Sequence, residues 1–334
     1  MNFSRFFAVF KARNIEFFRD RSSLGWNLIF PVLMLVGLSF VFSGDGRAIY
    51  KVGVIDLVQS KSSFLDTKYI GFIDYQEAAL AKVKLEQHSI DLLIDFDAKK
   101  YWVNQGAPNS YLVEKIFLSD SSNYQRIETQ GKKIRYVDWV LPGILGMNMM
   151  FSCLFGVGYV IVRYRKNAVL KRLKATPLSA FEFVSAQLFS RLFIVIFLSS
   201  VVYIGCNLFF DFYMLGSYFD LLIIAILGAF SLITLGLLVA SRSKSEELIG
   251  GLLNLSSWPM MLLSGVWFSL EGAPNAVKVF AEFLPLTHLV AGARKIITEG
   301  ATLADISYHV SILMLMSTVF LALGAYFFSW NTDR

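Results

Sequence analysis

Side chains that could serve as nucleophiles, general bases or metal ligands are scarce in this sequence. Its 334 residues include 3 histidines, His88, His288 and His309, isolated from one another in sequence, and 2 cysteines, Cys153 and Cys206, within apolar runs. No H-E-x-x-H zinc motif occurs, and no G-x-S-x-G nucleophile motif with suitable partners. We therefore expect surface or interface histidines, buried cysteines, and no metal or cofactor bound by this chain.

A phosphate-binding loop is also missing from the sequence. The motif G-x-x-x-x-G-K-[ST] cradles nucleotide phosphates through its backbone amides and its lysine. The only Gly-Lys pair, Gly131-Lys132, has Arg126 at the position of the first glycine. The chain therefore cannot hydrolyse ATP with such a loop of its own.

A basic loop at 163–181 is the most informative polar segment. Its bases are Arg163, Arg165, Lys166, Lys171, Arg172 and Lys174, and no acid occurs before Glu182. The segment 167–175 predicts a short helix that ends at Thr176-Pro177, because the residue before a proline avoids the α region. An exposed, rigid basic helix could dock into an acidic socket of a partner. A merely solvated basic loop is the alternative.

The overall composition places these residues in a membrane protein. Hydrophobic residues make up 55% and charged residues 17% of the chain, with a mean hydropathy of +0.56, whereas soluble domains are about 25% charged. The net charge of +6 could suggest nucleic acid. Bases of a membrane protein collect in cytoplasmic loops, however, so we expect no nucleic-acid partner.

Six apolar runs are long enough to cross a bilayer as helices. They are Trp26–Ser43, Val140–Val162, Val184–Phe210, Phe219–Ala240, Leu248–Leu270 and Val310–Trp330. Bases are concentrated before the first run and after the second, which predicts that both termini are cytoplasmic. The fold class is therefore a polytopic α-helical membrane protein with six transmembrane helices.

The segments around these spans differ in character. Residues 1–24 predict an amphipathic helix at the cytoplasmic face of the membrane, which buries Phe7, Phe10, Phe17 and Phe18 and turns its bases toward anionic lipid or a partner. Residues 25–43 form the first span and 331–334 a cytoplasmic tail. Residues 139–330 form the core of five spans, including the segment 271–300.

The long segment 44–138 predicts a small α/β domain on the outer face of the membrane. Stretches typical of strands are Ile49–Asp56, Ile90–Phe96 and Tyr111–Leu118. The stretch Gln76–Gln87 predicts a helix, and Asn123–Val137 a polar helix that leads into the second span.

Two sites at membrane depth deserve a functional hypothesis. Arg191 is the one charge well inside a predicted span. It could snorkel to the interface or form a structural pair with Glu182 or with an acid of another chain, and a proton relay is the alternative. In 271–300, Pro285 divides two apolar stretches that are each too short to span, which predicts a pair of re-entrant helices at the outer leaflet. They could cap a path with Glu282, Pro285, His288 and Arg294 near its exit. An ordinary surface loop is the alternative.

The sequence resembles the ABC-2 type transporter permeases, the transmembrane subunits of ABC exporters with a type V exporter-like fold. The resemblance rests on KRLKATPLS at 171–179, on Leu141-Pro142-Gly143 at the start of the second span, and on the runs 259–269, 283–289 and 293–297. In the order of its elements it extends over essentially the whole chain.

The resemblance implies a half-transporter in the bacterial cytoplasmic (inner) membrane. A second permease chain, identical or related, would complete the membrane path. Two copies of a separate ABC ATPase would bind ATP and Mg²⁺ on the cytoplasmic side. The residues that would couple the ATPase to the membrane are Lys171, Arg172, Leu173, Thr176 and Pro177.

Export of an amphipathic, lipid-like or drug-like substrate is the function that the residues and the resemblance favour together. The alternative is a membrane-anchored envelope binding or assembly protein that acts through its outer domain. An intramembrane enzyme is disfavoured, because histidine and cysteine are so few.

Overall fold

The computed structural model describes residues 3–41, 50–55, 63–68, 70–76, 78–86, 89–105, 107–120, 123–129, 135–241, 245–267, 270 and 274–328. Two compact units divide the chain. We call Met1–Ser39 with Val137–Arg334 the helical unit, and Phe40–Tyr136 the sheet unit. The sheet unit corresponds in sequence to the predicted domain at 44–138, and His88 lies outside the described residues.

The described helices and strands follow one another in a simple order. They are α1 (Phe3–Arg19), α2 (Arg21–Val41), β1 (Tyr50–Ile55), β2 (Ile70–Tyr75), α3 (Ala78–Glu86), β3 (Leu92–Asp95), β4 (Lys100–Asn104), α4 (Pro108–Asp120), β5 (Gln125–Thr129), α5 (Tyr136–Lys166), α6 (Val169–Lys174), α7 (Ala180–Phe210), α8 (Tyr218–Ala240), α9 (Glu246–Leu263), α10 (Asn275–Ala281), α11 (Pro285–Glu299) and α12 (Ser307–Phe327). A 3-10 turn, Ser63–Asp66, precedes β2.

Four helices in the described part of the chain are long and apolar enough to cross a membrane. They are Tyr136–Lys166, Phe181–Phe210, Tyr218–Ala240 and Ser307–Phe327. The bent pair α10 and α11 makes a fifth if it is counted as one span. The chain is therefore a polytopic helical membrane protein, and the number six stays a prediction.

The fifth predicted span is shorter in the structure than the sequence predicts, whereas α2 contains the described part of the first. α2 contains Pro31, and its described apolar segment is Asn27–Val36. α9 begins behind the N-cap Ser245 and ends at Leu263, before the predicted end at Leu270. Gly265 then takes a left-handed backbone conformation with φ 71°, which glycine adopts without steric cost.

The core of the helical unit forms around α5. Most of this helix is buried, whereas only small fractions of α7 and α12 are. Its residues Met150, Leu154 and Val157 are in one cluster with buried side chains of α7, α8, α9 and α11. Gly236 of α8 allows close approach, since a Cβ there would lie 3.2 Å from the Leu154 carbonyl oxygen. α5 is thus the central helix against which the others pack.

The sheet unit is built on five strands in the order β2-β1-β3-β4-β5. β1 pairs in parallel with β2 and β3, β4 pairs antiparallel with β3, and β5 is parallel to β4. Alternate residues face opposite sides of a strand. Val52 and Val54 pack toward Phe117 of α4, while Leu93 and Trp102 pack toward Leu85 of α3. One helix therefore covers each face of the sheet.

Two predictions for this unit are wrong. Tyr111–Leu118 is not a strand but part of α4, which is helical because Pro108 suits the first turn of a helix and the buried Val113 and Phe117 are four residues apart. Asn123–Val137 is not one polar helix, because Gln125–Thr129 forms the edge strand β5. The predicted helix Gln76–Gln87 contains α3.

A polar network ties α4 to the sheet. Glu114, 6% exposed, accepts hydrogen bonds from the Tyr101 hydroxyl at 2.8 Å and from Arg126 Nε at 2.6 Å. Burial, together with the hydrogen bond to Glu114, raises the pKa of Tyr101 to about 12. The hydroxyl therefore stays protonated and donates throughout the neutral range.

We expect Glu114→Ala to loosen the sheet unit. The change removes the acceptor of a buried hydroxyl, which costs about 1–3 kcal/mol, and amide exchange of β4 and α4 should accelerate about tenfold or more. Hydrogen exchange of the full chain in detergent measures this. Glu128→Ala is the matched control, because exposed Glu128 contacts the same Arg126. Equal exchange in the two variants would contradict the network.

Candidate functional site

The basic loop contains a short helix that presents its charges outward. α6, Val169–Lys174, lies within the predicted 167–175. Leu170 is fully buried, whereas Lys171, Arg172 and Lys174 are exposed. One apolar side chain therefore anchors the helix to the protein.

The other three residues expected to couple the ATPase lie at the same end of α6. Leu173 is half-buried, and Thr176 and Pro177 are exposed. The Thr176 hydroxyl donates to the Leu173 carbonyl oxygen at 2.6 Å, which closes the helix before the proline. The structure thus brings all five predicted coupling residues together on one small surface.

Both ends of the loop are tied to α1. Arg5 donates to the Pro177 carbonyl oxygen. At the other end, Glu16 accepts from the Tyr164 hydroxyl at 2.5 Å and from Arg163 Nη2 at 3.0 Å. The position of α1 therefore determines where the loop, and with it α6, can lie.

The Glu16 carboxylate is stabilised in its charged form. Burial raises its pKa, but hydrogen bonds from Tyr164 and Arg13 and the charges of Arg13 and Arg163 together lower the pKa below the ordinary value of 4.5. Because the folded-state pKa is depressed, the contribution to stability is present above the unfolded pKa. It is lost as the pH falls through the folded pKa. The tie is therefore complete at neutral pH.

The phenylalanines of α1 contact α7 rather than serving lipid alone. Phe10 packs on Phe193 with ring centroids 6.3 Å apart, and Phe18 on Phe197 at 6.0 Å. Phe17 lies beneath the guanidinium of Arg191 at 5.3 Å. Phe7 keeps 63% of its surface exposed. Phe10, Phe17 and Phe18 therefore contact α7, and the position of α1 at the membrane face stays a prediction.

Arg191 joins three helices without a carboxylate. Its Nε donates to the Ser152 carbonyl oxygen at 2.8 Å and its Nη2 to the Ser152 hydroxyl at 2.7 Å. Gly156, one turn further along α5, provides the space for the guanidinium. The predicted pair with Glu182 is wrong, because Glu182 forms the capping box of α7 with Ser179.

A second arginine fixes the end of α8 beside the loop. Buried Arg165 donates to the carbonyl oxygens of Ala240 at 3.2 Å and Ser241 at 2.9 Å. These carbonyls end a helix and have no amide partner within it, so a cation is favourable there. Lys166 lies 3.6 Å from Glu246 at the start of α9. The C-terminal end of α5 therefore holds α8 and α9 at the level of the loop.

At the opposite end of the helical unit, α10 and α11 meet in a bend of 94°. Pro285 is the first residue of α11, as its lack of an amide proton favours. Buried side chains of α11 include Pro285, Leu286 and Val290, whereas Glu282 is exposed at the bend. The helix pair is the one predicted to be re-entrant.

Buried His288 and half-buried His309 form a pair at this bend. His288 Nε2 lies 2.9 Å from the Glu282 carbonyl oxygen, and His288 Nδ1 lies 3.1 Å from His309 Nδ1 of α12. A carbonyl oxygen can only accept, so His288 donates through Nε2 and, when neutral, accepts at Nδ1 from His309. The Tyr308 hydroxyl donates to Glu282 at 2.8 Å. The expectation of a surface position is wrong for His288, which is fully buried between α11 and α12.

Arg294 lies apart from the histidines and joins α11 to the start of α5. It stacks on the Trp139 ring at 3.9 Å and donates to the carbonyl oxygens of Trp139 at 3.2 Å and Gly265 at 2.9 Å. Of the residues predicted near an exit, the structure groups Glu282, Pro285 and His288 at the bend. Arg294 instead has a packing role.

Several residues of these junctions have no local sequence signal. Glu16, Ser152 and His309 act through partners that are distant in sequence. A polar residue facing a neighbouring apolar helix, as at Ser152, is the kind of signal that could have indicated them. In the described part of the chain, no group of three or more His, Cys, Asp or Glu residues could hold a metal ion. Cys153 and Cys206 are buried and free.

A bundle of membrane-crossing helices with an exposed basic helix between two of them is the architecture expected of a membrane subunit of a transporter. The chain belongs to the ABC-2 family of transporter proteins, whose sequence model matches residues 21–326. It is also similar to the linearmycin resistance permease protein LnrN of Bacillus subtilis (strain 168). The two are 25% identical over 187 residues, which cover 54% of this chain and 47% of the relative.

We expect Gly156→Ala to destabilise the helical unit. The added Cβ would lie 2.0 Å from Arg191 Cζ. The guanidinium ends a flexible side chain, but moving it breaks its bonds to Ser152, so we expect a loss of about 1–3 kcal/mol. Thermal unfolding of the full chain in detergent measures the loss.

Gly251→Ala is the matched control, because nothing lies within 4 Å of a Cβ there and alanine favours a helix by up to about 1 kcal/mol. In an Arg191→Leu background, Gly156→Ala should cost much less than in the native chain. An equal cost in both backgrounds would show that the two residues do not interact.

Proposed function

We propose that this chain is the membrane subunit of an ATP-driven exporter and that a separate ABC ATPase acts on it through α6. The observation that carries the proposal is the surface of Lys171, Arg172 and Lys174 on a helix anchored by buried Leu170. Such a surface suits an acidic groove. The ATPase would bind ATP and Mg²⁺, because the sequence has no phosphate-binding loop.

The contacts around α6 support a route for force into the membrane. A push on α6 reaches α1 through the Arg5 contact with Pro177 and through the Glu16 contacts with Tyr164 and Arg163. It reaches α5 and α7 through Arg191. Charged and aromatic contacts of this kind have defined geometry, so a displacement is passed on rather than absorbed.

The proposed orientation follows from the bases. The loop at 163–181 and the start of α1 would be cytoplasmic, and both termini would lie on that side. The sheet unit and the bend between α10 and α11 would then lie outside, and the bend would be re-entrant from the outer leaflet. The membrane would be the bacterial cytoplasmic membrane. The cargo we propose is amphipathic, lipid-like or drug-like, in keeping with the apolar helices and with a relative named for linearmycin resistance.

A second permease chain would complete the path, and the exposed face of α9 is where we place it. Leu252, Leu255, Trp258 and Leu262 are exposed along this helix, and Asn254 is exposed among them. A carboxamide in contact with hydrocarbon would lack hydrogen-bond partners, so a protein or a water-filled path is favoured beside it. Two copies of the ATPase would then serve two permease chains.

Charge reversal on α6 tests the ATPase contact. We expect Lys171→Glu to weaken co-purification with the proposed ABC ATPase partner by about tenfold or more, since a like charge would face the proposed acidic groove. Leu173→Glu should abolish ATPase activity that depends on the permease. Lys278→Glu, the same charge change on exposed α10, is the control. Normal complex formation and activity with both α6 variants would sink the proposal.

Cysteine crosslinking tests the second chain. Cys153 and Cys206 are first replaced by serine. If two permease chains meet along α9, Leu255→Cys should form a disulfide between them in membranes, since a disulfide requires Cα atoms within about 7 Å. Leu315→Cys is the control: Leu315 of α12 is also an apolar residue, 64% exposed, and a cysteine there should not crosslink. Crosslinking at position 315 with none at 255 would place the second chain elsewhere.

A further inference from the structure

A cavity of about 490 Å³ lies within the helical unit, between α5, α7, α8 and α11. Its inner wall includes Met149 of α5 and Leu289 of α11. Ile204 and Leu208 of α7 also line it, and they are 60% and 80% exposed. The cavity therefore opens sideways, at a surface of membrane-crossing helices.

Small side chains produce this space. Ser200 of α7, Ala225 of α8 and Ala293 of α11 all line the cavity. A larger side chain at any of these positions would project into it. Close-packed protein interiors leave few voids larger than a water molecule, so a space of this size reflects the small residues of its wall, which also include Gly146 and Ser199.

The chemistry of the walls selects an uncharged, mainly apolar occupant. None of the lining residues in the described part of the chain is Asp, Glu, Lys, Arg or His. The polar groups are hydroxyls and one carboxamide, and the Asn207 Oδ1 atom already accepts from the Phe212 amide. Water needs two or more polar partners to be stable in a cavity. Hydrocarbon therefore fits these walls better than water or an ion.

The position of the opening identifies the source of that hydrocarbon. α7 and α8 are both long and apolar enough to cross the membrane, and Leu208 and Leu222 at the opening are exposed. The surrounding medium of such a surface is the bilayer itself. We propose that the cavity binds an acyl chain of a bilayer lipid, which enters between α7 and α8.

A bound acyl chain would pack directly against α11. Leu289, Ala293 and Ile297 line the cavity at intervals of four residues and so form one face of this helix. The same helix carries His288 at the bend with α10. The lipid would therefore support the helix that the histidine pair holds from its other side. This inference depends on the membrane location of the chain and not on the proposed ATPase partner.

Photocrosslinking with a lipid probe tests the proposal. The full chain is placed in nanodiscs that contain phosphatidylethanolamine with a diazirine at the end of one acyl chain, and the labelled peptides are identified by mass spectrometry. In the native chain we expect label on Tyr203 and Ile297 of the cavity walls. Label on Leu315 of α12, which is exposed, measures the general reach of the probe.

Filling the cavity should remove the wall label selectively. Ser200→Trp occupies the space, and overpacking of a site by a competing side chain should lower the label on Tyr203 and Ile297 about tenfold relative to Leu315. Val201→Trp is the matched control, because Val201 is the next residue of α7, does not line the cavity and is 42% exposed. Ala225→Phe fills the cavity from α8 and repeats the test if Ser200→Trp does not fold.

The outcomes separate the possible occupants. Label on the walls that falls in the filled variants and persists in Val201→Trp supports the lipid. Walls that stay unlabelled in the native chain while Leu315 is labelled would overturn the proposal. Wall label in both filled variants that equals the label in the native chain would also overturn it. A non-lipid molecule found on the purified native chain by native mass spectrometry, with the walls unlabelled, would assign the cavity to that molecule instead.

Discussion

The helical unit depends on a buried guanidinium, that of Arg191, which has no carboxylate beside it among the residues that the structure describes. Arg191 is 7% exposed and shares its charge among the carbonyl and hydroxyl oxygens of Ser152 and the ring of Phe17. A cation is costly in an apolar interior unless its donors are satisfied. The arrangement is therefore stable only while α1, α5 and α7 all stay in place. Loss of any one of them leaves the charge exposed to hydrocarbon.

The requirement has a structural consequence for the loop. Because Arg191 and the phenylalanine pairs hold α1 against α7, α1 is kept beside the basic loop. Arg5 and Glu16 then tie the two ends of that loop. The position of helix α6 is consequently fixed by the contacts at both ends of the loop, although α6 contributes only one fully buried side chain of its own. Apolar packing around α5 forms the core of the helical unit, whereas the polar contacts of α1 fix the position of the basic loop.

The elements that follow from local rules could be predicted from the sequence. The helix in the basic loop and the division at Pro285 both depend on proline, which constrains the backbone wherever it occurs. Hydropathy indicated α5, α7, α8 and α12, because a long apolar run has few other structures open to it. The composition of Tyr111–Leu118 led to the wrong prediction of a strand, because β-branched and aromatic residues fit the buried side of a helix as well as a strand.

Long-range pairing could not be predicted. β5 is polar, and it is a strand because β4 offers it hydrogen bonds, a fact that no residue in 125–129 encodes alone. The partners of Arg191 are a hydroxyl and a carbonyl oxygen on another helix. The prediction of Glu182 was wrong because it assumed that a buried cation pairs with an acid. His288 and His309 lie on different helices and meet only because α11 packs on α12. In each case the missing information was the tertiary contact.

The two histidines also couple the bend to α12 through their tautomers. Their facing Nδ1 atoms are 3.1 Å apart, and one hydrogen bond needs one donor and one acceptor. The contact therefore requires complementary tautomers, with the proton of His288 on Nε2 and that of His309 on Nδ1. The tautomer of His309 on α12 is thus set, through His288, by a backbone carbonyl at the bend between α10 and α11, so the two elements are coupled through the orientation of one imidazole.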